Sequence, residues 1–148
     1  ALIEALPLPV RLPLANARAG QFSCPGAMVR VYPDPLHDLT LGMDEPLPVF
    51  FLNSTAFAPD PSGDISVAAA YAERDVVVSG WAHGEQLLAG LAAVVDAPVG
   101  KGRFVGIGFR PHFRTQVLTG YNVLMNAILR AGVLTSEHQL TRAGARPA

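Results

Sequence analysis

The sequence predicts an α/β domain that leans toward α+β, with a mixed β-sheet and flanking helices. Three observations point there. Apolar runs of strand length outnumber the segments with helical spacing, whereas an intact doubly wound domain alternates strands and helices more regularly. A Gly-Lys-Gly turn at Gly100 to Gly102, an apolar run from Arg103 to Phe109 and a helical pattern closing at Gly132 make one strand-loop-helix unit. Half of the 148 residues are hydrophobic and only 16% are charged, which supplies a core and argues against disorder.

The elements follow in order. Ala1 to Leu6 reads as the last turns of a helix with no N-cap before it. Pro7, Pro9 and Pro13 then force an extended path. Ala15 to Gly26 reads as a loop ending in a Cys24-Pro25-Gly26 turn, and Ala27 to Tyr32 as an alternating strand stopped by Pro33. Asp34 to Asp44, with Pro35 and Gly42, reads as an irregular surface loop. Leu47 to Leu52 is almost wholly apolar, the pattern of a strand covered on both faces. Ala58 to Asp64 is turn-rich. Ile65 to Tyr71 and Val76 to Ser79 read as strands separated by the polar Glu73-Arg74-Asp75 turn.

His83 to Leu88 suits one or two helical turns, and Leu91 to Val99 a further strand. Gly106 and Gly108 inside the next strand imply close packing against something large. Tyr121 to Arg130 has helical spacing, with Val123, Leu124, Ala127, Ile128 and Ala131 on one side, Thr119 as N-cap and Gly132 as C-cap. The expected organisation is one domain over residues 1–134 and a polar tail over 135–148.

Composition narrows the partners. A formal net charge of -1 gives no electrostatic footprint for nucleic acid or an anionic membrane. No apolar run approaches the ~20 residues that span a bilayer. The single cysteine, Cys24, excludes an intrachain disulfide and a Cys-based zinc knuckle. The low charge fraction suggests that part of the surface is covered by another domain or a second copy. Ala1 to Val10 has no basic region ahead of its apolar residues and does not read as a signal peptide, and without an initiator Met the chain reads as a processed or excised piece.

Four groups could carry chemistry. Arg110-Pro111-His112-Phe113-Arg114 lies between a strand and a helix, where open α/β sheets place ligands. Arg110, His112 and Arg114 could hold a carboxylate or phosphate, assisted by the helix start at Thr119 and Gly120; alternatively the arginines pair with acids such as Asp96 or Glu85. In Ser79 to Glu85, the His-x-Glu spacing of zinc deaminases lacks its downstream Cys pair, so Trp81 is expected to anchor the segment on the core. Cys24 is followed by Pro25 and no helix, unlike a nucleophile elbow, which favours an inert thiol. His37, His83, His112 and His138 are dispersed and show no local half of a zinc site, so no metal or other cofactor is expected in this chain.

The run Gly100-Lys101-Gly102 through Gly108-Phe109-Arg110-Pro111-His112-Phe113-Arg114, followed by Thr119-Gly120-Tyr121 and Asn126-Ala127-Ile128-Leu129, resembles the C-terminal region of bacterial zinc carboxypeptidase-like proteins of the carboxypeptidase A type. Leu47-Pro48-Val49-Phe50-Phe51, Ser79-Gly80-Trp81 and Ala92 to Asp96 also fit, so the likeness spans Phe22 to Gly132. The resemblance implies part of a class I glutamine-amidotransferase-like fold attached to a peptidase domain, with zinc and hydrolysis of C-terminal peptide bonds in that domain. The family's His-x-x-Glu is missing here, so no catalytic or metal residue carries over. The chain is therefore expected to be a non-catalytic accessory domain, packed on the peptidase domain of its own polypeptide or on a second copy. The alternatives are an anion-binding or peptide-carboxylate-binding module and a vestigial amidotransferase-like hydrolase. An exported parent, periplasmic or extracellular, fits the resemblance.

Overall fold

The computed structural model describes Leu6 and residues 8–115 and 117–144, with side chains beyond Gly132 left aside. The helical turns expected over Ala1 to Leu6 lie outside the described residues, Leu6 excepted. Among the described residues there are eight strands and one long helix: β1 (Val10–Arg11), β2 (Ser23–Pro33), β3 (Leu47–Phe51), β4 (Ala58–Pro59), β5 (Ser66–Tyr71), β6 (Val77–His83), β7 (Ala92–Val99), β8 (Gly102–Ile107) and α1 (Thr119–Gly144). The architecture is an α+β one, a curled antiparallel sheet with a helix.

Six strands form the main sheet in the order β3-β2-β5-β7-β8, with β6 also on β2, and β1 pairs with β4 apart. All the recorded pairings are antiparallel, so the expected mixed sheet is not seen among the described residues. The geometric argument for a ligand site at the end of a parallel strand therefore does not apply to this sheet.

The long strand β2 organises the rest. One edge pairs with β3, with Met28 opposite Phe50. Its other edge pairs first with β6, from Ser23 to Val29, and then with β5, from Val31 to Pro33. The strands β5 and β6 are thus one line along β2, interrupted where residues 72–76 bulge outward. Arg30 closes both sides of that bulge: its N–H donates to Val76 O and its C=O accepts from Ala72 N–H. Glu73-Arg74-Asp75 is therefore an excursion within one line of strand, with Asp75 in the left-handed region at φ 50. The Cys24-Pro25-Gly26 segment likewise lies inside β2, at a register shift that absorbs a proline unable to donate to the ladder.

The core fills one face of the sheet. Val29, Val31, Val49, Phe51, Tyr71 and Val94 meet Leu39, Met43 and Val123 there. Phe51 sits edge-on between Phe22 and Tyr71, with centroids 5.8 and 6.0 Å away. The expected surface loop at Asp34 to Asp44 buries Leu39, Thr40 and Met43, because a 3-10 turn (Asp38–Thr40) presses its apolar side against α1. The opposite face is covered only at β7 and β8, where Phe57 joins Val95, Val10, Leu12 and Phe104. Around β2 that face is open. Trp81 pairs across with Gly26 there and is 58% exposed, so it does not anchor the segment on the core.

Two further expectations change. Leu47 to Leu52 is not covered on both faces, since Pro48 is exposed and Phe50 only half-buried. The helix does not stop at Gly132 but runs to Gly144, into the residues expected to form the tail. It also buries Val123 and Ala127 while Ile128 and Ala131 point outward, because a helix apolar on all sides leaves its orientation open to tertiary contacts.

The expected tight packing is present at Gly106 within β8 and at Gly108 just after it. A Cβ on Gly106 would lie 2.9 Å from Val95 and 3.0 Å from Phe57. One on Gly108 would lie 2.6 Å from Thr55 O and 3.0 Å from the Tyr71 hydroxyl. That hydroxyl lies 2.9 Å from Thr55 O and 2.8 Å from Gly108 O, its single proton shared between two buried carbonyls. Gly108→Ala should destabilise the fold by about 2 kcal/mol or more through overpacking against backbone. Tyr71→Phe should cost about 1–3 kcal/mol by removing the hydroxyl from both carbonyls, with Gly108 O keeping its bond from Thr55 N–H. Urea unfolding of the two variants checks both values.

Candidate functional site

The Arg110 to Arg114 loop is built as a latch. It leaves β8 and crosses to β3, where Arg110 N–H donates to Phe50 O and Arg110 Nε donates to Leu52 O, each at 2.9 Å. Phe113 stacks on Phe50 with centroids 4.5 Å apart. Pro111 packs so closely on the helix start that a Cβ on Gly120 would meet its carbonyl oxygen at 2.8 Å. Tyr121 donates its hydroxyl to His112 O at 3.4 Å, and Thr119 donates its hydroxyl to Pro48 O at 3.1 Å. The Thr119 proton thus ties the first turn of α1 to the edge of the sheet.

The four residues expected to form a site are therefore neighbours, but they do not converge. Arg110, His112 and Arg114 are exposed and Thr119 is half-buried. Arg114 has φ 47 and ψ 26 and holds its guanidinium 5.4 Å over its neighbour Phe113. Neither Arg110 nor Arg114 is in an ion pair among the described residues, so the expected pairing with Asp96 or Glu85 does not occur. Glu85 accepts from Val77 N–H at 3.1 Å. Asp96 is taken by other arginines.

Asp96 is the centre of the strongest polar cluster. It is 1% exposed, on the helix-facing side of β7. Arg103, its near neighbour on β8, donates Nε to Oδ1 at 2.8 Å. Arg130 of α1 donates Nη1 to Oδ2 and reaches Asp38 through Nε at 3.4 Å. Burial pushes the Asp96 carboxyl up, but the hydrogen bonds and charges of Arg103 and Arg130 outweigh it and hold the group below the usual carboxylate range.

His37 and Ser66 complete this cluster, which brings together the residue types of a hydrolytic triad. His37 Nε2 lies 3.0 Å from Ser66 Oγ and 4.0 Å from Asp96 Oδ2. The polarity is wrong for catalysis. His37 Nδ1 accepts from Leu39 N–H at 3.2 Å, so the ring proton sits on Nε2 and points at the serine. Ser66 in turn donates to the Asp96 main-chain oxygen at 3.2 Å. The imidazole cannot take a proton from a hydroxyl that its own N–H faces, and the chain of donors runs inward to the backbone. The cluster fastens the 3-10 turn, β5, β7, β8 and α1 together.

Cys24 is half-buried and donates its thiol to Phe51 O at 3.7 Å. Burial raises the thiol above its ordinary range, partly offset by a hydrogen bond from the Gly26 backbone. That is the environment of an inert cysteine. His83 Nε2 lies 3.1 Å from Gly20 O, which ties β6 to the preceding loop. His138 lies among the residues whose side chains are not described. Among the described residues no group of three His, Cys, Asp or Glu could hold a metal ion.

Sequence reasoning did name Asp96 as an ion-pair acceptor but gave it the wrong partners. A lone acid inside Ala92 to Ala97, five alanines and valines around it, signals a buried charge that needs cations nearby. Pairing register then singles out Arg103, and helix docking brings Arg130. No protein-family model matches the chain, and no curated protein matches it.

Asp96→Ala should lower stability by about 3 kcal/mol, near the lower end for a broken buried pair because both arginines partly reach solvent. A carboxyl held below its unfolded value contributes stability above the unfolded pKa and loses it as pH falls through the folded value. The melting temperature of the native chain should therefore drop as the pH falls below about 4, and Asp96→Asn should show a shallower drop over the same range in thermal melts.

Proposed function

We propose that this chain is a non-catalytic accessory domain of a zinc-carboxypeptidase-like protein, and that it docks on the peptidase domain of the same polypeptide through the outward face of α1. The observation that carries the reading is that face. Leu118, Met125, Ile128 and Leu129 are all exposed, Leu118 by 68% and Leu129 by 64%. Met125 and Leu129 follow one stripe of the helix, opposite the side that buries Val123, and Leu118 stands just before its first turn. A helix apolar on both sides is ordinarily covered on both sides. The side chains best suited to chemistry support the same reading, since His37, Ser66, Asp96 and Cys24 are each committed to internal hydrogen bonds. On this reading the zinc and its ligands belong to the peptidase domain, and the sheet with α1 is a portion of a class I glutamine-amidotransferase-like fold.

A second reading rests on the latch. Arg110, His112 and Arg114 stand exposed with no carboxylate bound to them among the described residues, as an anion-binding or peptide-carboxylate-binding module would require. The divergent anchoring of the two guanidinium groups ranks it below domain docking. A hydrolase built on Cys24 is disfavoured by the raised thiol.

Assayed with zinc and C-terminal peptide substrates, the chain should show no turnover; chelator-sensitive hydrolysis would sink the proposal. Met125→Glu with Leu129→Glu should change the stability of the chain by only about 0.5 kcal/mol, as exposed substitutions do. The same pair in the full-length protein should speed proteolysis between the domains. If it instead dissolves a dimer of the isolated chain, the face belongs to a second copy.

A further inference from the structure

The bulge between β5 and β6 does more than interrupt a strand. It forms one wall of a cavity of about 530 Å³ lined by Arg30, Tyr32, Ala70, Glu73, Arg74, Asp75 and their neighbours Tyr71 and Gly90. That volume lies in the range that takes a small molecule. None of its lining residues belongs to the latch or to the outward face of α1, so it is independent of the function proposed above.

The lining has an unusual charge balance. Arg30, Arg74, Glu73 and Asp75 line one space, yet no ion pair joins any of the four. Arg30 is half-buried and positioned by a single hydrogen bond, from Nη1 to the Asp75 main-chain oxygen at 3.1 Å. Its remaining N–H donors are left for another acceptor. Glu73, Arg74 and Asp75 are exposed, and Glu73 is carried toward Gly90, where its Cγ would lie 3.9 Å from an added Cβ. Asp75 holds a left-handed backbone that keeps its carbonyl turned to Arg30.

We propose that this cavity binds a small zwitterion of the α-amino acid class. The carboxylate is received by Arg30 and Arg74, for which a planar fork of donors is the fitting partner. The ammonium is received by Glu73 and Asp75, and the small Ala70 and the Tyr32 ring accept a short apolar side chain. A simple anion would meet two carboxylates in the same space, and a simple cation two guanidinium groups, so only a ligand carrying both charges matches the lining.

The test is a titration of the whole 148-residue chain followed by amide NMR shifts, with L-alanine as the probe and acetate and methylamine as single-charge controls. L-alanine should give saturable shifts at residues 72–76 and Gly90, and each control should bind about tenfold more weakly or worse. Arg74→Ala, an exposed substitution, should abolish saturation with no change in melting temperature. Glu73→Gln should weaken L-alanine and, by removing one of the repelling carboxylates, bind acetate at least as well as the native chain does. Absence of saturable shifts with L-alanine overturns the proposal. So does acetate binding as tightly as L-alanine, which would mark a plain anion site, and so do shifts confined to other residues.

Discussion

One buried carboxylate governs how this domain holds together. Asp96 sits on the core side of a strand whose other residues are almost all alanine and valine, and an ion there is tolerable only when its oxygens are fully engaged. Its partners come from β8 and α1, and through His37, Ser66 and Asp38 the 3-10 turn and β5 are drawn into the same cluster. Asn126 adds two hydrogen bonds to the carbonyls of Leu39 and Leu41, each at 3.1 Å. Segments that hydrophobic contact alone could let slide are thereby fixed in one register. The helix has apolar residues all round, so hydrophobicity gives it little reason to choose a face. Arg130 and Asn126 choose for it.

The latch works at the other end of the helix. Where the Asp96 cluster clamps the third turn of α1, the Arg110 to Arg114 loop clamps the first, through aromatic stacking on Phe50 and close backbone contact at Gly120. Fastened at its first turn and again at Arg130, the helix packs on one face of the sheet and presents Met125 and Leu129 outward, with Leu118 exposed just before it. Two surfaces of different character result. One is the apolar outward side of the helix. The other is the open sheet face along β2, with charged groups gathered around the bulge.

The sequence made most strands legible, because alternation and turn chemistry are local. The hairpin at Gly100-Lys101 is recognisable from its glycine, which adopts φ 57, and the strands on either side lie within a residue or two of expectation. Pairing was not legible. Nothing local says that Val77 to His83 continues the line of Ser66 to Tyr71 along β2, since the same pattern suits a hairpin. The burial of Leu39 and Met43 was hidden by the prolines around them, which signal a loop but not what covers it. The Arg110 loop is indeed a junction between strand and helix, but the acid assigned to it is satisfied by Arg103 and Arg130, whose proximity depends on register and docking.

The collinear arrangement of β5 and β6 has a consequence for how such a domain can change. Because Arg30 closes the bulge with both its N–H and its C=O, the number of residues between Ala72 and Val76 is uncoupled from the register of β6 on β2. Insertions or deletions there alter the rim of the cavity while every ladder beyond it keeps its alignment. The domain thus contains a segment whose length can change without shifting the register of the strands on either side of it.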